Sequence, residues 1–533
     1  MRLQPTTLIL LVVVSGDAAL LNRIAQRLPA RRVRDALIAP AISAAPTLTE
    51  PERVDTYWKQ DDSELSQRLA RMLEATPSLQ TPTYRPTTWA KGSKANFALA
   101  FARSRAGELR RKARNLRAAN LYRCPHTSTR SPSRPRPHPK PRADQVEPPL
   151  SGGAPRYSAC DGAPDIVVEW AKDEAAVALR LANPNPNPLP LVLTANPDPN
   201  PNPNPDADPE QVALPPDAPI VVFLHTITGT AAQTRWLMPG ASARGWRACV
   251  FVRRGHNERQ RLSAPSFNLL GDVGDVERQL DAVRRTYPRA SFVGMIGISA
   301  GSGLLISYLG RAGTNTPVGA ACAICPAWDV RAAFAQMGVT QPDGERTMLR
   351  QIKRGFLRRN ARLLRRWDES AYEACLAATS LPEMLAAHAP FAMRQRGATG
   401  AEYLAAHDPM EDRHGVMLPT LVLNAEDDFV CPAALARPEV IVDEQPGCLL
   451  LVTRSGSHVA FNEGRSLRRS PFHLRVSLDF LEAARATAEG TAREADREAP
   501  RPEALGGLRG VVVPTRAAGG APARPRDEDA VRP

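Results

Sequence analysis

The sequence predicts an α/β fold, a mostly parallel sheet covered by helices on both faces. Three observations point to it. From Pro219 onward, apolar runs of strand length alternate with helical patterns. Apolar strands separated by helices pair in parallel and bury both faces. Near the middle, the apolar run Phe292–Ile296 passes through Gly297-Ile298-Ser299-Ala300-Gly301 into a helical period at Leu304, Leu305 and Leu309. That is strand, tight turn, helix.

Taken in order, residues 1–50 read as a hydrophobic, Arg-rich targeting or anchor segment. The apolar run from Thr6 to Ser15 is short for a membrane span, and Asp17 interrupts it. Its length suits a signal-peptide core or a short anchor, and the arginines from Arg23 to Arg34 give a transit-peptide-like composition. Membrane association or organelle targeting is the expectation. Residues 51–123, with helical patterns over 65–73 and 97–102, read as a helical N-terminal extension. Residues 124–155 are rich in Pro, Arg and Ser, without an apolar face, and read as a disordered linker.

Residues 156–486 hold the α/β domain. Strands are expected at 165–170, 175–181, 220–224, 247–252, 292–296, 319–324, 420–424 and 448–453. Asn-Pro repeats mark an extended insertion at 183–209, because alternate prolines offer no N–H to a sheet. A helix is expected over 272–285, with Val273, Val276, Leu280 and Val283 on one face, and a last one over 473–486. Between the strands near 320 and 420, residues 328–417 form a helical insertion. Within it, 346–367 reads as one basic amphipathic helix, with Leu349, Ile352 and Phe356 on its apolar side. It is expected to pack on the domain with its charges solvated; contact with an anionic membrane surface is the alternative. The tail, 487–533, reads as disordered.

At 533 residues the chain has room for one large domain or a few small ones, and 51 clustered prolines leave part of it non-globular. Its net charge of +14 admits nucleic acid, anionic membrane or acidic substrates. No nucleic-acid motif accompanies the charge and aromatics are only 5%, so no nucleic-acid partner is expected. The 8 cysteines are scattered, several in apolar runs, and read as buried free thiols. Cys322 and Cys325 form a C-x-x-C without a second pair, so no metal site is expected.

The G-x-S-x-G turn carries the chemistry. A serine on so sharp a turn is strained, and side chains two residues away on either side would clash; Gly297 and Gly301 remove both clashes. Ser299 is the candidate nucleophile. On such an elbow the partners follow in the order acid, histidine. Of the nine histidines, His458 alone sits just after the last predicted strand, where an open α/β sheet places its site. The acid should follow the preceding strand, which supplies Glu426, Asp427 and Asp428; Asp428 is preferred, Asp427 second. The oxyanion donors are expected to be the backbone N–H groups of Ala300 and Ile227, the latter in the loop after 220–224.

A set of motifs then resembles the α/β-hydrolase superfamily, and within it the YheT-like, embryogenesis-associated branch, which includes membrane-anchored lipid esterases. The matching pieces are Tyr84–Trp89, Asp161-Gly162 with Glu169-Trp170, Leu224–Gly229, Arg254-Gly255 and Gly271–Asp275. They continue with Gly297–Gly301, Glu402-Tyr403 ahead of Pro419–Asp428, and Gly456–His458. The resemblance implies an α/β-hydrolase fold capped by 328–417, a triad of Ser299, Asp428 and His458, and no cofactor. It also implies hydrolysis of acylglycerol or phospholipid esters. Acyl transfer by the same acyl-enzyme, and a catalytically weakened lipid-binding protein, are the rival readings. Two departures stand out. Thr226 replaces the usual glycine after His225, and a β-branched residue at a backbone position needing positive φ would misplace Ile227 N–H. Phe429 replaces the usual proline after the acid, with no consequence expected.

Overall fold

A computed structural model describes residues 51–87, 96–97, 99–100, 157–160, 163–171, 214–256, 261–432, 438–464 and 470–498. The expected segment 1–50, the linker 124–155, the strand at 175–181 and the Asn-Pro insertion lie outside these residues.

The strands are β1 (Glu52–Tyr57), β2 (Thr83–Tyr84), β3 (Tyr157–Cys160), β4 (Ala163–Trp170), β5 (Ile220–Leu224) and β6 (Arg247–Val252). They continue with β7 (Val293–Ile298), β8 (Ala320–Ile324), β9 (Thr420–Ala425) and β10 (Cys448–Thr453). All ten join one sheet in the order β2-β1-β10-β9-β8-β7-β5-β6-β4-β3. The six from β10 to β6 are parallel. Each is buried along its whole length. That is why they appear in the sequence as unbroken apolar runs. The strands on either flank are antiparallel.

In register, Gly297 of β7 lies between Leu224 of β5 and Ala323 of β8. The segments beginning at His225, Ser299, Cys325, Glu426 and Arg454 therefore leave the sheet at one edge. Helices Val273–Thr286 and Ala300–Ala312 pack with the sheet in one apolar core. Asp272 caps the first, its carboxylate accepting the Asp275 N–H at 3.1 Å. A second apolar cluster ties the insertion to the loops around Ile227, Phe267–Leu270 and Val430-Cys431. The six described cysteines whose burial is known are free and buried.

Three expectations need correction. The extension at 51–123 is not purely helical: helix Glu64–Ala75 is there, but β1 and β2 add to the sheet. In β1 only Val54 is buried, so this flanking strand left no apolar pattern to read. The basic segment 346–367 is not one α-helix. It runs as helix Pro342–Gln351, a π turn Ile352–Leu357, a 3-10 turn Arg358–Asn360 and helix Ala361–Trp367. Asn360 accounts for the break: buried, it accepts the Leu262 N–H and donates to the Phe356 carbonyl, both at 3.0 Å. Finally, the last helix is Phe472–Glu498, longer than expected. Ala, Glu and Arg beyond 486 are strong helix formers, not only tail composition.

Candidate active site

The elbow is built as its sequence demands. β7 ends at Ile298, and Ser299 sits at φ 56°, ψ −121°, directly before helix Ala300–Ala312. A Cβ on Gly297 would lie 2.5 Å from the Gly301 carbonyl oxygen, and one on Gly301 would lie 2.4 Å from the Leu224 carbonyl oxygen. Both contacts are with backbone, so only glycine fits. The strained serine is held by its own N–H, which donates to the Ile324 carbonyl at 2.8 Å.

Ser299, His458 and Asp428 come together. Ser299 Oγ lies 2.8 Å from His458 Nε2. His458 Nδ1 faces Asp428, 2.9 Å from Oδ2 and 3.1 Å from Oδ1. All three are buried, at 9%, 5% and 3% exposure respectively. Asp428 Oδ1 also accepts the N–H groups of Val430 and Cys431, each at 2.8 Å. A carboxylate at Nδ1 keeps the proton there and leaves Nε2 free to accept from Ser299. The His458 loop is strained: Ser457, Val459 and Phe461 all have positive φ, each costing about 1–3 kcal/mol. Asp427 turns elsewhere, accepting the Ser457 N–H at 2.6 Å and so holding this loop. Burial pushes its carboxyl above the ordinary carboxylate range. Glu426 is exposed.

Ile227 and Ala300 line the same cavity as Ser299. The loop carrying Ile227 is a turn closed by Gly229 N–H donating to the Thr226 carbonyl at 2.9 Å. Thr226 is not among the described residues with positive φ. The conflict expected of a β-branched residue there does not arise, because the backbone never enters the left-handed region. A buried clamp holds the loop instead. The Arg253 guanidinium donates to the carbonyls of His225, Thr226 (3.0 Å) and Leu269 (2.7 Å). His225 Nε2 accepts the Arg253 N–H at 3.1 Å, so Nδ1 carries the proton and donates to the Thr226 carbonyl at 3.0 Å. His256 Nε2 lies 3.2 Å from the Ile227 carbonyl.

Burial, reinforced by the Arg253 charge, holds His225 well below the usual histidine range and brings His256 to about 3. Burial lowers Arg253 only to about 9, so it stays cationic at neutral pH. Arg253 and His256 were not singled out from sequence. The available signal was a pair of arginines, Arg253-Arg254, straight after an apolar strand. Arg254 makes its own buried pair with Asp275, at 2.5 and 3.1 Å.

The cavity beside Ser299 encloses about 660 Å³, part of it open to solvent. Leu270, Val273 and Leu304 wall it from the sheet side; Val330, Phe334 and Met348 close it from the 328–417 insertion. Of the remaining histidines, His388 is buried with Nδ1 2.7 Å from the Leu385 carbonyl, and burial lowers it to about 4. Among the described residues, one group has donor atoms close enough for a metal ion: Cys325, Asp428 and His458, within 4.8 Å of one another. Burial pushes the Cys325 thiol well up, which keeps it protonated and a poor ligand. The other two already face each other.

Residues 219–461 match the family model described as alpha/beta hydrolase fold. Phospholipase ABHD3 of Mus musculus is 26% identical over 269 residues, spanning 50% of this chain and 64% of that protein. Protein ABHD15 of Homo sapiens is 28% identical over 260 residues, spanning 47% and 51%. Monoacylglycerol lipase of Saccharomyces cerevisiae is 23% identical over 262 residues, spanning 47% and 56%. The matches thus cover between about half and just under two thirds of these relatives' own length. A parallel sheet with a serine at its edge would leave the family open, but a sequence match running through the elbow, the acid and the histidine loop narrows it: residues 219–461 carry the α/β-hydrolase fold.

Proposed function

We propose that this chain is a serine hydrolase that cleaves carboxylic esters of acylglycerols or phospholipids, with Ser299 as nucleophile, His458 as base and Asp428 as its partner. The observation that carries this reading is the hydrogen-bonded line from Ser299 Oγ through His458 to Asp428 at the wall of an apolar cavity. His458 Nε2 takes the Ser299 proton, and the oxygen attacks the ester carbonyl carbon. The carbonyl π pair moves onto oxygen, where the N–H groups of Ile227 and Ala300 hold it. Collapse breaks the bond to the alcohol, which leaves with the proton from His458. Water, deprotonated by the same nitrogen, then releases the acid and restores Ser299. Asp428 steadies the imidazolium in both halves. The charged Arg253 behind the Ile227 loop favours negative charge on that side.

The apolar cavity suits an acyl chain, and the relatives named phospholipase and monoacylglycerol lipase support a lipid ester. The YheT-like branch is supported by sequence alone, through Tyr84–Trp89 and Glu402-Tyr403. The test is a fluorophosphonate probe on the full chain, with mass mapping of the adduct. Labelling at Ser299, lost in Ser299→Ala, is expected; labelling elsewhere, or none, would overturn the assignment. A panel of p-nitrophenyl esters of graded chain length then sets the acyl preference.

A further inference from the structure

The proposed chemistry leaves one conspicuous surface unused. Between positions 346 and 367 the chain carries nine Arg and Lys and no Asp or Glu. The apolar side chains of this stretch are spent on the core: Leu349, Ile352, Phe356, Leu357 and Leu364 are buried in the cluster that joins the insertion to the sheet. The cationic side is left outward. Arg350, Arg354, Arg358, Arg362 and Arg366 recur every four residues and are all exposed. None of them enters an ion pair among the described residues. Ion pairs form at other arginines of the stretch, Arg346 with Asp343 and Arg365 with Glu373, each at 2.5 Å. Across the α, π and 3-10 turns of this stretch the recurring arginines form an exposed run of like charge, which an anionic partner would neutralise.

The same segment reaches the candidate site. Met348 lines the cavity. Phe356 stacks on His256, centroids 5.3 Å apart, and His256 touches the Ile227 carbonyl. In the preceding helix, Val330–Thr340, Val330 and Phe334 face the cavity while Val339 is 83% exposed. An exposed arginine run on an element that also walls an apolar cavity is the pattern of a surface that meets lipid. Nucleic acid is the poorer fit: Phe356 is buried and Trp367 packs on Phe391 at 5.4 Å, so the stretch offers no free ring for a base.

We propose that this face of the insertion docks on an anionic lipid bilayer, with the arginine row against the headgroups. It rests on the lipid-ester reading in that docking brings the wall of the cavity to the surface where such a substrate lies. The test is sedimentation of the full chain with phosphatidylcholine vesicles, with and without phosphatidylserine. The wild type is compared with the triple variant Arg354→Gln, Arg358→Gln, Arg362→Gln. Each arginine near an anionic surface is worth about fivefold in partitioning, so the triple change should weaken binding to phosphatidylserine vesicles about a hundredfold. Added salt should weaken the wild type in the same direction. The melting temperature and the turnover of a soluble p-nitrophenyl ester should not change. A triple variant that binds like the wild type would overturn the proposal, assigning any binding to another surface such as the Arg-rich residues 1–50. So would a wild type indifferent to phosphatidylserine, or one that prefers a duplex oligonucleotide. Vesicle binding by Ser299→Ala separates docking from catalysis: the docking proposal expects it intact, whatever becomes of the hydrolase reading.

Discussion

Replacing Asp428 with asparagine removes a charge while keeping the shape, and the surroundings dictate how the new amide must sit. Oδ1 of Asp428 accepts two N–H groups, from Val430 and Cys431, at 2.8 Å each. An amide NH2 cannot face two donors, so the asparagine oxygen takes that corner. Its NH2 then occupies the Oδ2 position, 2.9 Å from His458 Nδ1. A donor there makes Nδ1 the acceptor and moves the ring proton to Nε2, aimed at Ser299 where a base is required. The expected loss in kcat/KM is about 10⁴-fold, roughly 5.5 kcal/mol at about 1.36 kcal/mol per decade. The melting temperature should fall little, because the bonds to Val430 and Cys431 survive. Hydrolysis of p-nitrophenyl butyrate by Asp428→Asn and Asp427→Asn, side by side, is the assay. Asp427 holds a loop through the Ser457 N–H, and its loss should cost about tenfold or less. An Asp428→Asn enzyme within about tenfold of wild type, or an Asp427→Asn enzyme that is worse, would refute the reasoning.

Gly297→Ala would put a methyl 2.5 Å from the Gly301 carbonyl oxygen and 2.7 Å from Ser302 Cα, neither of which can swing away. A loss of about 1–3 kcal/mol of stability is expected, read from thermal melting; an unchanged melting temperature would contradict it. Thr226→Gly should leave ester turnover within about threefold, because the backbone at 226 makes no demand for positive φ. Activity appearing only in the glycine variant would favour the weakened, lipid-binding reading instead. His256 and His388 are held at about 3 and about 4 in the fold, against 6.5 for the free group. Their folded values are depressed, so the stability they allow is full above about pH 6.5 and is lost as pH falls toward those values. At about pH 5 each should cost about 2 kcal/mol. Urea unfolding near neutrality and near pH 5 measures it, and equal midpoints would argue against neutral rings at these two positions.

Much of the architecture was legible because the central strands are covered on both faces. β6 and β10 fall where the apolar runs at 247–252 and 448–453 place them. The elbow was legible because two glycines and a serine are the only solution to a backbone contact of this kind. What escaped had no one-dimensional trace. β1 buries only Val54 and pairs at the flank of the sheet. The π turn at 352–357 depends on Asn360 reaching Leu262, a contact almost a hundred residues away in sequence. Helical periodicity sees neither. The clamp on the Ile227 loop was hidden for a similar reason: Arg253 acts through carbonyls of His225, Thr226 and Leu269 brought together only by the fold. Thr226 shows the opposite error. A departure from a family pattern suggested strain, and the backbone angle shows none at that position.

The central claim, that Ser299 is the nucleophile of a lipid ester hydrolase, is tested most directly by turnover of a monoacylglycerol and of a phosphatidylcholine. The full chain and its Ser299→Ala variant would be compared at matched vesicle binding. Fatty acid release by the wild type and a fall of about 10⁴-fold or more in the variant are expected. Equal release by the two proteins would contradict the claim.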